Sequence, residues 1–159
     1  MDITIQEAHP DEYETILPIL HDADEDDGRI RNLLLDGKHI TYIAYDEQRI
    51  VGAVTMRWEE AESEIEYIAV HADLRGQGYG TALVAAIVKE AATRNVTDII
   101  VGTDNTSLEN IAFYQRCGFR MDAVRRDFFS YIQPPVVRNG IQMQDMLLLR
   151  CRVAHRIGK

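Results

Sequence analysis

The stretch "YIAVHADLRGQGYGTAL", Tyr67 to Leu83, sets three glycines at alternate positions, Gly76, Gly78 and Gly80, between an apolar run and an Ala/Leu/Val helix pattern. Glycine lets backbone approach a ligand closely and adopts φ values closed to other residues. A helix start offers unpaired N–H groups and a partial positive charge. Together these make a site for an anion such as a phosphate. The spacing excludes two common nucleotide loops. No GK[ST] follows, and the period is G-x-G-x-G, not the G-x-G-x-x-G of dinucleotide folds. A plain strand-to-helix turn is the alternative reading of the glycines alone. Just upstream, Glu64 and Glu66 stand two apart in "SEIEYIAV" and share one face of a strand. Carboxylates so placed can take up protons, although an exposed sheet face would carry the same pair.

Other acidic and sulfur groups carry less. "DADEDDG", Asp22 to Gly28, resembles a calcium loop but has Asp27 where a glycine is needed and Leu33 where the closing glutamate belongs. No metal site is expected. Cys117 reads as a small buried residue before a glycine cap and not as a nucleophile, since no histidine lies beside it.

The elements that position these groups follow from hydrophobic periodicity. "ITIQEA" alternates as a strand, and His9-Pro10 opens a short helix through Tyr13, Ile16, Leu17 and Leu20. "RIRNLLLDG" is a second helix ending at Gly37. "HITYIAYDEQRIVGAVTMRWEE" is a hairpin turning at Asp46 to Arg49, and "SEIEYIAV" adds a strand. A helix over Gly78 to Asn95, the strand "TDIIVGT", and a helix over Thr106 to Arg116 come next. Thr106-Ser107-Leu108-Glu109 matches a capping box at the start of that last helix. "GFRMDAV" and "MQDMLLLRCRV" close the chain as strands, joined by a loop with Pro134, Pro135 and Asn139-Gly140. The order β-α-α-β-β-β-α-β-α-β-β is that of a mixed α/β domain spanning residues 1–159.

Composition is that of a globular domain: 159 residues, 46% hydrophobic and 27% charged. The net charge of −9 argues against a nucleic-acid partner, and the basic pair Arg125-Arg126 and the Arg-rich end from Arg150 to Lys159 do not reverse it. Two cysteines without CxxC spacing fit a reducing cytoplasm. "MDITIQEAHP" has no signal-peptide pattern, and no segment approaches the roughly 20 apolar residues of a membrane span.

Arg75-Gly76-Gln77-Gly78-Tyr79-Gly80 resembles the acetyl-CoA pyrophosphate loop of the GNAT N-acetyltransferase superfamily. The likeness runs from Glu64 to Phe119: "EIEYIAVHADLRGQGYG" is similar to the family's fourth strand and loop. "NTSLENIAFYQRCGF" is similar to its later helix, with the signature at Phe113, Tyr114, Gly118 and Phe119. The tail "RRDFF…NGIQMQDMLLL" resembles a functionally uncharacterised bacterial subgroup.

The resemblance implies an α/β (α+β) GNAT fold: a mixed, mostly antiparallel sheet splayed between strands 4 and 5 and flanked by about four helices. It implies that acetyl-CoA lies in the split. The backbone of Ile68, Ala69 and Val70 would pair with the pantetheine arm. The N–H groups from Gln77 to Thr81 (Gln77, Gly78, Tyr79, Gly80, Thr81) would hold the pyrophosphate, with Arg75 adding charge. Many members carry Asn seven residues before the tyrosine. Here Ser107 stands there and Asn105 is the alternative contact, unless both belong to the helix cap. The implied reaction is direct acetyl transfer to a primary amine in a ternary complex. Glu64 is the first candidate for general base and Glu66 the reserve; Tyr114 is the general acid and the Val70 N–H the oxyanion donor.

The expected acceptor is a small-molecule or peptide amine, drawn in by Asp24 to Asp27. A homodimer is compatible with the family, with "MLLLRCRV" available as a shared strand. An acetyl-CoA sensor without turnover is the competing function, and a nucleotide-binding protein a third.

Overall fold

The computed structural model describes residues 2–24 and 26–154. A seven-stranded sheet has the order β1-β2-β3-β4-β5-β9-β6. Its members are β1 (Ile3–Glu7), β2 (His39–Asp46), β3 (Arg49–Arg57), β4 (Glu62–Val70), β5 (Asp98–Asp104), β6 (Arg120–Arg125) and β9 (Met146–Arg152). Only β4 and β5 pair in parallel. Two short strands, β7 (Val137–Arg138) and β8 (Ile141–Gln142), form a separate ladder.

Four helices cover the sheet among the described residues: α1 (Tyr13–Leu20), α2 (Asp27–Leu35), α3 (Tyr79–Thr93) and α4 (Leu108–Arg116). Alternation along the strands divides the core in two. Ile43 and Ala53 pack against Ile16, Leu17, Leu20, Ile30 and Leu34 of α1 and α2. Tyr42, Ala44, Val54 and Met56, one residue out of phase, pack against Leu83, Val84, Ile87 and Ala91 of α3 and against Tyr114 of α4. The apolar triplet Ile99-Ile100-Val101 of β5 is buried throughout, as expected for a parallel-paired strand covered on both faces.

Two irregularities shape the centre. The β4–β5 ladder runs from Glu62 opposite Asp98 to Ile65 opposite Val101 and stops there. The rest of β4 leaves its β5-facing edge unpaired, while β5 continues along β9 to Asp104. This is the splay between strands 4 and 5 that the family resemblance implied. On its other edge, β4 carries a β-bulge. Tyr67 lies opposite Thr55 and Ile65 opposite Met56, so Glu66 is an extra residue in the ladder. The phase of the strand flips there. Ile65, Ile68 and Val70 all contact the α3–α4 core, whereas Tyr67 joins the α1–α2 core.

Three expectations change. The helix after β5 starts at Leu108, and the capping box does not form: Asp104 instead accepts from the Thr106 N–H, the Thr106 hydroxyl and the Ser107 hydroxyl at 2.8, 2.5 and 2.6 Å. A short aspartate folding back on the next turn outcompetes the more distant Glu109. The β6–β9 connection is not wholly a loop, since β7 and β8 pair around Asn139 and Gly140, both at positive φ. That is the two-residue hairpin turn Asn-Gly favours. Finally, "MLLLRCRV" is not free to be shared, because β9 is paired on both sides, to β5 and to β6. The free sheet edges belong to β1 and β6.

Candidate active site

The glycine turn leads into α3 as an uncapped helix start. Gly76 and Gly78 sit at φ +75° and +92°, which a side chain would strain. Gly78 is the N-cap, no side chain caps the helix, and no acidic residue lies in its first turn. The N–H groups that a 15-residue helix leaves without partners therefore face no competing carboxylate on their own element. The Tyr79 hydroxyl donates to Asp46 at 2.5 Å, tying the turn to the end of β2. The Arg75 guanidinium contacts the Asp22 carboxylate, and its Nε donates to the Val70 carbonyl at 3.4 Å, linking the α1–α2 connection to the end of β4.

Ile68, Ala69 and Val70 line the open edge of β4 between this turn and the end of the β4–β5 ladder. An extended arm carrying amides finds there the backbone groups that β5 leaves unmatched. Asn105 and Ser107 lie beyond the far end of β5, with their polar groups engaged inside the chain. The Asn105 amide donates to the Gln142 carbonyl at 2.9 Å and accepts from the Gln144 and Asp145 N–H groups at 3.0 and 3.1 Å. Asn105 thus pins the long β6–β9 arm to the sheet. Ser107 is bound to Asp104.

Glu64 and Glu66 share the α1–α2 face of the sheet with His39 and Arg57, which lie opposite each other on β2 and β3. Arg57 donates to Glu64 at 3.0 Å and to Glu59 at 2.7 Å, and its Nε lies 3.6 Å from Glu66. The imidazole Nε2 of His39 lies 3.4 Å from Glu66 Oε1. Burial, then the charge of Glu64, pushes the Glu66 carboxyl above the usual range, with His39 and Arg57 pulling less strongly the other way. The two carboxylates therefore differ: Glu64 accepts a hydrogen bond from the Arg57 guanidinium, while Glu66 faces the His39 imidazole.

The bulge places Tyr67 beside Glu66 on this face. The Tyr67 hydroxyl donates to Asp24 at 2.9 Å, and burial, then that carboxylate, pushes the phenol's pKa up. Asp24 also takes two bonds from Arg29 at 3.0 Å. Burial raises its pKa, but Arg29, the Asp26 N–H and Tyr67 outweigh it and hold the carboxyl below its ordinary value. Asp26 caps α2 through the Arg29 N–H, and Asp27 contacts His21. Three of the acidic-loop carboxylates are thus committed to the fold; Glu25 lies outside the described residues.

Tyr114 stands on the opposite face, in the α3–α4 core, 6% exposed. Its ring packs between Phe113 and Phe119, at 5.2 and 5.6 Å between centroids. Burial, then Cys117, pushes its phenol above the usual value, so it stays protonated at neutral pH. Among the described residues no side chain hydrogen-bonds its hydroxyl. The Cys117 thiol is likewise pushed up by burial, which keeps it from being a ready nucleophile. Among the described residues no group of three or more metal-ligating side chains occurs, and no helix is long and apolar enough to cross a membrane.

Sequence reasoning picked out Glu64, Glu66 and Tyr114 but not His39, Arg57 or Tyr67. Period-two alternation puts His39 on one face with Thr41 and Ile43. Which β4 residue it meets depends on strand order and on the bulge, and neither has a local signature.

Comparison with known proteins places this geometry. Residues 4–119 match the Acetyltransferase (GNAT) family. The chain is 34% identical to YvbK of Bacillus subtilis, an uncharacterised N-acetyltransferase, over 68% of this chain and 71% of that protein. It is 30% identical to a streptothricin acetyltransferase of Escherichia coli, over 64% of this chain and 58% of that one. A GNAT acetyltransferase of Elizabethkingia anophelis, solved with acetyl-CoA bound, superposes with a TM-score of 0.81 at 29% identity, covering 94% of this chain and 97% of that one. By sequence and by fold, the chain belongs to the GNAT family of acetyltransferases.

Proposed function

We propose that this protein moves the acetyl group of acetyl-CoA to a primary amine by direct transfer in a ternary complex. The observation that carries the reading is the opening between β4 and β5. It runs from the uncapped start of α3 to the Glu64–Glu66 pair, with Tyr114 on the opposite face. The cosubstrate fits the opening with its pyrophosphate on the N–H groups from Gln77 to Thr81 and its pantetheine along Ile68 to Val70.

An alkyl ammonium, with a pKa near ~10, must lose a proton before it can attack. Glu66 is the better-placed base, because its raised pKa holds that proton more firmly than an ordinary carboxylate. Glu64, held by Arg57, shapes the charge around it. The amine nitrogen bonds to the thioester carbon, and the Val70 N–H stabilises the oxyanion. The C–S bond then breaks, Tyr114 protonates the leaving thiolate, and the second proton shed by the nitrogen restores the Tyr114 hydroxyl. Neither cysteine supplies a covalent intermediate in this scheme.

The acceptor is a small cationic amine, an inference from the acidic surface and from the streptothricin acetyltransferase among the relatives. If copies of the chain pair through their sheets, the edge is β1 or β6 and not β9; sedimentation at increasing concentration reads out whether they pair. Calorimetric titration with acetyl-CoA, with NAD and ATP as controls, tests the cosubstrate. A panel of amines followed by thiol release then tests turnover. Binding of acetyl-CoA with no turnover on any amine would favour a sensor. Binding of NAD or ATP instead would overturn the reading of the glycine turn.

A further inference from the structure

Acetylating an ammonium group gives amide, free thiol and one proton more than the thiol can hold. That proton has to leave the site. Among the described residues, a single buried side-chain nitrogen or oxygen has no hydrogen-bond partner: Nδ1 of His39. Buried polar atoms are almost always paired, so such an atom calls for an explanation. The imidazole is 8% exposed and lies between two carboxylates, with Nε2 at 3.4 Å from Glu66 Oε1 and Nδ1 at 3.6 Å from Asp36 Oδ2.

The local chain builds this arrangement. Asp36 ends α2, and a tight turn follows in which the His39 N–H donates to the Asp36 carbonyl at 3.0 Å. The Lys38 N–H occupies Asp36 Oδ1 at 2.9 Å and leaves Oδ2 toward the ring. The Asp36 side chain is 42% exposed, so the row Glu66–His39–Asp36 leads from the carboxylate beside the opening to solvent.

We propose that His39 and Asp36 form the proton exit for Glu66, with His39 acting as a positioning and relay residue that does not touch substrate. The idea rests on the acetyl-transfer reading above. Glu66 passes the proton it took from the ammonium to His39 Nε2. The ring releases the proton on Nδ1 to Asp36, and Asp36 gives it to water. No bond other than N–H and O–H changes, and the ring returns to its first tautomer by turning over or by exchange with solvent. Both contacts must shorten by a few tenths of an ångström for transfer, which loaded sites commonly do. The charged and titratable groups around the ring are Asp36 at the end of α2, Lys38 beside it in the chain, Arg57 on β3 with Glu59 next to it, and Glu64 and Glu66 on β4.

The first test needs no acceptor. Imidazole nitrogen NMR of the full chain reads the two ring nitrogens of His39 at one fixed pH in the wild type, in Asp36→Asn and in Glu66→Gln. The Nδ1 resonance is expected to respond most to Asp36→Asn and the Nε2 resonance most to Glu66→Gln, as the two contacts dictate. Nitrogen resonances that respond to neither substitution would overturn the proposal, whatever the enzyme's substrate. The second test uses spermidine acetylation. His39→Gln is expected to lower kcat roughly tenfold or more with KM unchanged, and added imidazole to restore part of the rate of His39→Ala. A KM rise equal to the kcat loss, without imidazole rescue, would mean that His39 only supports the fold. If wild-type protein does not turn over spermidine, that failure belongs to the acceptor assignment, and the nitrogen NMR comparison alone decides.

Discussion

At the scale of single residues, the two glutamates separate by what surrounds them. Glu66→Gln is expected to lower kcat by about 100-fold or more, with the acetyl-CoA Kd unchanged. An equal or larger loss in Glu64→Gln would return the base role to Glu64. The same carboxyl makes a stability prediction. Its pKa is raised in the folded state, so its contribution is complete below the unfolded value of about 4.3 and is lost as pH rises through the folded value. Glu66→Gln removes a penalty that exists only above that window. The variant is therefore expected to melt at a higher temperature than wild type near neutral pH and at the same temperature near pH 4, as thermal scans at the two pH values would read. Tyr114→Phe removes a hydroxyl that no described side chain holds. It is expected to lower kcat and leave stability within roughly 0.5 kcal/mol by denaturant titration. A large stability loss would make Tyr114 a core residue first.

At the scale of elements, most of the strands and helices were legible in the sequence because they follow strong periodicities. The α3 pattern, with Leu83, Val84, Ile87 and Ala91 buried, repeats as an amphipathic helix must. The glycine turn was legible too, since positive φ at Gly76 and Gly78 requires the residue type that announces it. Gly78→Ala is expected to cost roughly 1–2 kcal/mol and to weaken acetyl-CoA binding, as calorimetry would show. The partners of Asn105 within the chain were not legible, for a physical reason. Its amide looks like a ligand contact in a one-dimensional reading, yet it holds three backbone groups of an arm some forty positions away in sequence. Asn105→Ala is expected to speed hydrogen exchange in the arm over residues 126–145 and leave α3 unchanged. No change in the arm would mean that its own β7–β8 ladder suffices to hold it.

At the scale of the whole molecule, the sheet separates the chemistry into two sides. Carboxylates and the imidazole lie on the α1–α2 face, and the phenol lies on the α3–α4 face. That division depends on strand order and on where one ladder stops, which no local pattern reveals. With a net charge of −9, kcat/KM for a cationic acceptor is expected to fall as salt rises while acetyl-CoA binding moves less. The bulge at Glu66 has a consequence of its own. One surplus residue decides which way every later side chain of β4 points, up to the glycine turn. The strand can therefore accept many changes of letter, but a change of length only at the bulge itself. Deleting Glu66 would leave Ile65 opposite Met56 and Tyr67 opposite Thr55 as consecutive pairs of an even ladder, with Tyr67, Ile68 and Val70 on the faces they occupy now. In a library of single-residue deletions read for folding, Glu66 should be the position of this strand that is removed with least harm, and its neighbours among the least forgiving in the chain.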